Sequence, residues 1–499
     1  MFKSTLATLL ASTILWAAPL ARAETVKITF LGVGDIYKFD GAKQRGGMAR
    51  LNAVARAERA ANPNTIYVMD GDMLSPSLMS GFDKGANMIT LSNIVPYDLA
   101  VPGNHEYDAK AENFEAQAEA SKFPWAAVNI KTADGKTPEG LGGVMVKDVQ
   151  GVKVALIPVG DDGTPEESSP GDLRFAPTAE SAIAAAKQAR KDGADLVVGV
   201  VHAPHSDDQT MFNSKAFDVI LSGHDHDLIA QYNGITAYVE TSTEANYLVP
   251  IDVSVDVQTK DGKRSLSWQP SFRFIDTASV QPDPETQKIV DQFTADLGKE
   301  LDVVVGKLEG PIDTRRSIVR TQESAMGNLI ADAMREESGA DIAITNGGGI
   351  RGDKQYAAGA DFTRRDVLTE LPFGNMTVVT ELDGQHILDA LENGFSKIED
   401  GAGRFPQVSG LIVTADKSKP PMSRVVSVTV NGAALDLKAK YKVATNDYML
   451  GAGDGFIALG NGKTLVGTAA GKLMANDVLV YIKAHNGVQA KLEGRIVVK

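Results

Sequence analysis

The stretch "TVKITFLGVGDIYKFD", residues 25–40, runs from an apolar, β-prone segment into a Gly-rich turn carrying Asp35. Ile28, Phe30 and Leu31 read as a buried strand that hands a carboxylate to its tip. The same order recurs downstream. "TIYVMDGDM" (65–73) ends on Asp72, and "VPGNHEYD" (101–108) carries Asn104 and His105. "ADLVVGVVHAPH" (194–205) reaches His202, and "SGHDHD" (222–227) supplies His224 and His226. Between these strands lie amphipathic helical patterns over 47–60, 109–120 and 179–191. The alternation predicts an α/β domain, whose strand ends gather ligands along one sheet edge.

Beyond these strands, 246–275 ("VPIDVSVDV", "LSWQPSFRF") reads as antiparallel strands closing a domain over 24–280. "QPDPETQKIVDQFTADLGKEL" (281–301) has a Pro-rich start and an amphipathic body, so 281–305 is read as a linker helix. Residues 306–499 form a second α/β domain with its own buried patterns, among them "SAMGNLIADAMREE", "ADIAITN" and "YKVATNDYML". A chain of 499 residues exceeds one ordinary core and is expected to hold about two or three domains.

Residues 1–23 read as a signal peptide. Lys3 gives the positive start, an apolar run follows, and Ala21-Arg22-Ala23 forms an A-x-A cleavage site. That run falls short of the roughly 20 residues a membrane span needs. There is no cysteine, so an exported chain has no disulfides and any metal site uses nitrogen and oxygen ligands. A formal charge of −14 argues against a nucleic-acid polymer or an anionic membrane as partner. It leaves room for a small phosphorylated substrate, because a bound cation reverses the field locally.

Carboxylate, amide and imidazole are the donors that divalent first-row metals accept. A lone strand-end His is more often a surface or core imidazole than a ligand, and "GDM" or "GHDH" alone is weak. Five such tips in succession are not coincidence. They suit two ions sharing a carboxylate, which in such sites lie about 3.5–4 Å apart and grip a phosphoryl group.

This series resembles the calcineurin-like metallophosphoesterases. "ESAMGNLIADAM", "ITNGGGIR", "LPFGN", "FPQVSG" and "YKVATNDYMLGAGDGF" are similar to the C-terminal domain of the secreted 5′-nucleotidase/UDP-sugar hydrolase family. The resemblance covers essentially the whole mature chain. It implies a four-layer α/β metallophosphoesterase sandwich, a linker helix and a C-terminal α/β substrate-binding domain. It also implies two divalent cations such as zinc, manganese or cobalt. Asp35 and His226 would hold the first, Asp72 would bridge, and Asn104, His202 and His224 would hold the second. His105 and Asp108 match the catalytic dyad. His205 is read either as support behind the ligands or as a surface residue.

The family usually places a His two residues after the first Asp, and here that position is Tyr37. Three accounts fit. Tyr37 ligates as phenolate, which favours iron; it stands back from the site; or the first cation is poorly held.

In the second half, "NGGGIRGD" (346–353) offers the Asn346 amide, a close backbone approach at Gly348 and the Arg351 guanidinium. Phe373 and Tyr448 read as a clamp for a planar base, with core packing as the plain alternative for Phe373. Asp454 suits a ribose hydroxyl. The resemblance makes the aromatic pair the base clamp and adds Arg320 as a contact to phosphate or ribose. It further implies a domain rotation about a hinge near 295–310.

The expected function is a periplasmic or secreted phosphohydrolase releasing phosphate from 5′-nucleotides, with UDP-sugars as further substrates. A 2′,3′-cyclic phosphodiesterase with 3′-nucleotidase activity, a thiosulfohydrolase and a nucleotide-binding protein with a degenerate metal site stay open as alternatives. The oligomeric state is not legible.

Overall fold

The strand Ala23–Val33 lies third in a seven-stranded sheet, between Ile251–Lys260 on one side and Thr65–Met69 on the other. The structure, a computed structural model, describes residues 23–41, 44–260 and 263–499. The expected signal segment lies outside the described residues, apart from Ala23.

Thr65–Met69, Leu99–Ala100, Trp125–Ala126 and Leu141–Gly142 continue this sheet in parallel. Lys263–Phe272 and Ile251–Lys260 form its antiparallel edge. A second, six-stranded sheet holds Val152–Val159, Leu196–His202, Val219–Gly223 and Ala237–Thr241 in parallel at its centre. Strands buried on both faces are near-continuous Val, Ile and Leu runs, as "LVVGVVH" is.

The two sheets pack face to face. Ile28, Phe30, Val68 and Leu99 of one meet Val154, Leu156, Val198 and Val219 of the other. Helices cover the outer faces: Met48–Ala61 and Ala111–Ala120 on the first sheet, Thr178–Lys191 and His205–Ser214 on the second. Ala182, Ala186 and Ala189 give the helix Thr178–Lys191 a flat inner face. This is the four-layer α/β sandwich, and each fully buried Val, Leu or Ile stabilises it by about 1.5–3 kcal/mol. Both sheets turn the C-terminal ends of their parallel strands to the same edge.

The helix Pro284–Leu301 starts with Asp283 accepting from the Thr286 N–H (2.9 Å) and with Pro at its first turn. Val290, Ile289, Phe293 and Leu297 pack it on the first domain's core. Its far end is held by the second half, where Arg365 Nε donates to Asp302 Oδ1 (2.8 Å) and Arg364 pairs with Glu300. The strand Val304–Lys307 then pairs with Asp361–Thr363.

The second half is built on a six-stranded mixed sheet. Ile342–Asn346 and Lys440–Asn446 run parallel, and Met376–Asp383 and Pro406–Ser409 run antiparallel to them. Helices Ala325–Ser338 and Met474–Ala484 pack with one core cluster, Gly384–Phe395 with another. Among the described residues no helix is long and apolar enough to cross a membrane.

Candidate active site

His202 ends its strand with Nδ1 donating to the Asp70 carbonyl (2.9 Å), which turns Nε2 inward. There Nε2 meets Asn104 Oδ1, Asp72 Oδ2 and His224 Nδ1, each at 3.2 Å. All four residues are buried. Acceptors facing acceptors are repulsive unless a proton or cation lies between them, and Asp72 Oδ2 has no hydrogen-bond partner. Burial opposes a charge on His202, but Asp72 and Asp35 push it well above the ordinary imidazole value. Burial and the adjacent His202 hold His224 neutral, lowered to about 3. The donor set fits a divalent cation.

Beside it, Asp35 Oδ1, Tyr37 Oη and His226 Nε2 form a second group. Tyr37 Oη lies 2.8 Å from His226 Nε2 and 3.2 Å from Asp35 Oδ1, and His226 Nε2 lies 3.5 Å from Asp35 Oδ1. Of the three accounts of Tyr37, standing back does not describe this ring: it is buried and its oxygen sits between Asp35 Oδ1 and His226 Nε2. Glu244 fixes the turn by accepting from the backbone N–H groups of Tyr37 (3.2 Å) and Lys38 (3.0 Å). Asp35 Oδ2 accepts from the His224 N–H (3.0 Å), which joins the two groups.

The backbone is strained here. Asp35, Asp72, His224 and His226 all adopt positive φ (54°, 62°, 108° and 67°). Such conformations cost about 1–3 kcal/mol each and persist where the surroundings enforce them. Two glycines make room. A Cβ on Gly71 would meet His202 Nδ1 at 2.4 Å, and one on Gly103 would meet Asp72 Oδ1 at 2.2 Å.

His105 and Asp108 pair as expected, Nδ1 to Oδ2 at 2.8 Å. Burial disfavours the imidazolium, but Asp108 and Asp72 overcome it and push His105 up to about 10. Its Nε2 faces the carbonyl of Ala469 in the second half at 2.6 Å. His205 is 38% exposed and pairs with Asp227 (2.9 Å) and Asp225 (3.3 Å), so it braces the turn carrying His224 and His226.

Glu106 is a positioning group that the motif reading overlooked. Its buried carboxylate accepts from the N–H groups of Asp72 (2.8 Å), Met73 (2.7 Å), Leu74 (3.1 Å) and Gly103 (2.7 Å). It thus ties the Asp72 turn to the Asn104 turn. The amide of Glu106→Gln satisfies about half of these donors, and each buried donor left over costs about 1–3 kcal/mol. The variant is expected to lose about 2–6 kcal/mol and to bind metal more weakly. Thermal melts with and without added metal check this, and wild-type melting contradicts it.

In the second half, Arg320, Asn346, Gly348, Arg351, Phe373, Tyr448 and Asp454 line one cleft of about 430 Å³, together with Gly349, Asn375 and Gly403. Phe373 and Tyr448 are 60% and 49% exposed, as recognition rings are and core rings are not. The Arg351 guanidinium lies 5.3 Å over the Phe373 ring. Asn346 Nδ2 donates to Asp454 Oδ2 (2.9 Å), and the Tyr448 hydroxyl donates to Asp454 Oδ1 (3.2 Å). Buried Asn446 orients Asn346 by donating to its Oδ1 (3.1 Å). Arg315, outside the cleft, pairs with Asp313 (2.6 Å).

Residues 28–228 match the calcineurin-like phosphoesterase family, and residues 304–461 match the 5′-nucleotidase C-terminal domain. The chain belongs to the 5′-nucleotidase family. Among relatives of this nucleotidase-family chain, the trifunctional nucleotide phosphoesterase protein YfkN of Bacillus subtilis is 31% identical over 94% of it. The chain spans 35% of that relative's length. Protein UshA of Yersinia enterocolitica is 26% identical over 97% of the chain and 96% of its own length. The solved 5′-nucleotidase precursor of Thermus thermophilus is 27% identical, with a TM-score of 0.53 over 95% of this chain and 99% of that one. NAD nucleotidase of Haemophilus influenzae, 20% identical, shares the fold with a TM-score of 0.79 over 95% of this chain and 100% of its own.

Proposed function

We propose that this metallophosphoesterase is an exported 5′-nucleotidase, releasing phosphate from 5′-nucleotides and also cleaving UDP-sugars. The observation that carries this is the convergence of buried Asp72, Asn104, His202 and His224, with Asp72 Oδ2 left without a hydrogen-bond partner, beside Asp35, Tyr37 and His226. The first four residues would hold one cation, and Asp35, Tyr37 and His226 would hold the other, with Asp72 serving both. When bound, two cations, zinc, manganese or cobalt as divalent ions or iron as a trivalent one, supply Lewis acidity and lower the pKa of water toward about 7. Iron is the choice that suits Tyr37 as a phenolate ligand.

The chain's own groups do the rest. His105, oriented by Asp108, offers a proton at Nε2 to the charge that develops on the phosphoryl group and its leaving oxygen. Phe373 and Tyr448 stack the base, Asp454 and Asn346 receive the ribose, and Arg351 and Arg320 bind phosphate oxygens with the backbone of Gly348 alongside. The exposed aromatic pair favours a nucleotide over the small sulfur group of a thiosulfohydrolase.

The cleft is lined by residues of the second half alone, while His105 Nε2 is covered by the Ala469 carbonyl. The resemblance to the secreted 5′-nucleotidases implies a rotation of the second half about a hinge near 295–310, which would bring base and phosphate to one place. Location in the periplasm, or secretion, is supported by the Lys3-to-Ala23 signal pattern and the absence of cysteine.

Phosphate release from 5′-AMP, UDP-glucose and 2′,3′-cyclic AMP tests the function. We expect release from AMP that a chelator abolishes and Mn²⁺ or Zn²⁺ restores. Release from the cyclic nucleotide alone contradicts the 5′-nucleotidase assignment, and no release with any metal contradicts the enzyme reading.

A further inference from the structure

Asp108 takes three donors where orienting His105 requires one. Its Oδ2 accepts from His105 Nδ1 (2.8 Å) and from Ser75 Oγ (2.5 Å), and its Oδ1 accepts from Ser168 Oγ (2.8 Å). The two hydroxyls arrive on loops that follow strands of opposite sheets. Ser75 lies three residues beyond Asp72, in the loop after the Thr65–Met69 strand. Ser168 follows the Val152–Val159 strand of the other sheet. Its N–H donates to the Thr164 carbonyl (2.9 Å) and closes the short helix Thr164–Glu167. Thr164 is buried, and its hydroxyl donates to the Asp161 carbonyl (2.7 Å), so the segment reaching Asp108 is itself fixed.

A carboxylate held by a single His can turn about its terminal torsion, which is broad and weakly restrained. Hydroxyl donors on both oxygens remove that freedom, and the imidazole follows the carboxylate. Small misplacements of a reacting group cost large factors in rate. We propose that Ser75 and Ser168 are positioning residues for the His105–Asp108 dyad, clamping the carboxylate from both sheets so that Nε2 is held toward the phosphoryl position. This rests on the dyad's role in the proposed function.

The test is steady-state kinetics with 5′-AMP on the full chain carrying Ser75→Ala, Ser168→Ala or Asp108→Ala, and on Ser168→Ala combined with Asp108→Ala, with metal content and Tm measured for each. Positioning predicts that kcat falls about tenfold for each serine variant, part of the 10²–10⁴ a general acid–base group supplies. KM and metal content stay at wild-type values, and Ser168→Thr, which keeps the hydroxyl, restores kcat. Groups that act through one another are non-additive, so Ser168→Ala causes no further loss once Asp108 is Ala. A fall of the same size in both backgrounds, or wild-type kcat in Ser75→Ala and Ser168→Ala, overturns the proposal while leaving the dyad intact. Wild-type kcat in Asp108→Ala overturns the dyad and the proposal together.

Discussion

Replacing Tyr37 with Phe is expected to remove one of the two proposed cations and to lower kcat/KM for 5′-AMP about a hundredfold. The variant deletes a single oxygen that lies 2.8 Å from His226 Nε2 and 3.2 Å from Asp35 Oδ1. The ring stays, so packing against His105 (5.6 Å between centroids) is preserved and stability changes little. Loss of even an outer group around a metal ligand costs about 10–100-fold in affinity or activity. Deleting a donor that touches the ion belongs at or above the upper end of that range. Tyr37→His puts a nitrogen donor at the same place and is expected to keep both cations. Metal analysis of the three proteins alongside kinetics checks this. A Phe variant that matches wild type in both would leave Tyr37 as packing.

The second large effect is on the base. Phe373→Ala and Tyr448→Ala each remove a stacking face worth about 1–3 kcal/mol, which raises KM for 5′-AMP about 5- to 150-fold. A phosphate ester without a base, such as p-nitrophenyl phosphate, has no such face to lose, and its KM is expected to stay at the wild-type value. That difference also tests the domain rotation. The cleft holds no residue of the first half, so stacking influences hydrolysis only if the halves bring base and phosphate together. Unchanged KM for AMP in both variants contradicts the clamp and the movement together.

Much of the site was legible because each candidate ligand sits at the end of a buried apolar strand or within four residues of it. The run that forms the strand also aims the ligand: His202 ends Leu196–His202, and His224 follows Val219–Gly223 directly. The cleft was legible for a different reason. Asn346, Tyr448 and Asp454 lie at strand ends or in Gly-rich turns, and Phe373 lies before a glycine, where side chains face solvent.

Glu106, Glu244, Ser75 and Ser168 were not legible. Their role is defined by partners far away in sequence, such as Tyr37 for Glu244 and Asp108 for Ser168. No local pattern marks a serine that caps a remote carboxylate. Tyr37 illustrates the same limit: the sequence places an unexpected residue at the site, and only the fold shows where its oxygen goes.

On the proposed function, Tyr37 completes a two-cation site rather than marking a lost one. Counting metal per chain in the purified protein, by elemental analysis after exchange into metal-free buffer, distinguishes the two. Two ions per chain are expected in the wild type and one in Tyr37→Phe. One ion or none in the wild type, after reconstitution with zinc, manganese, cobalt or iron, would contradict it.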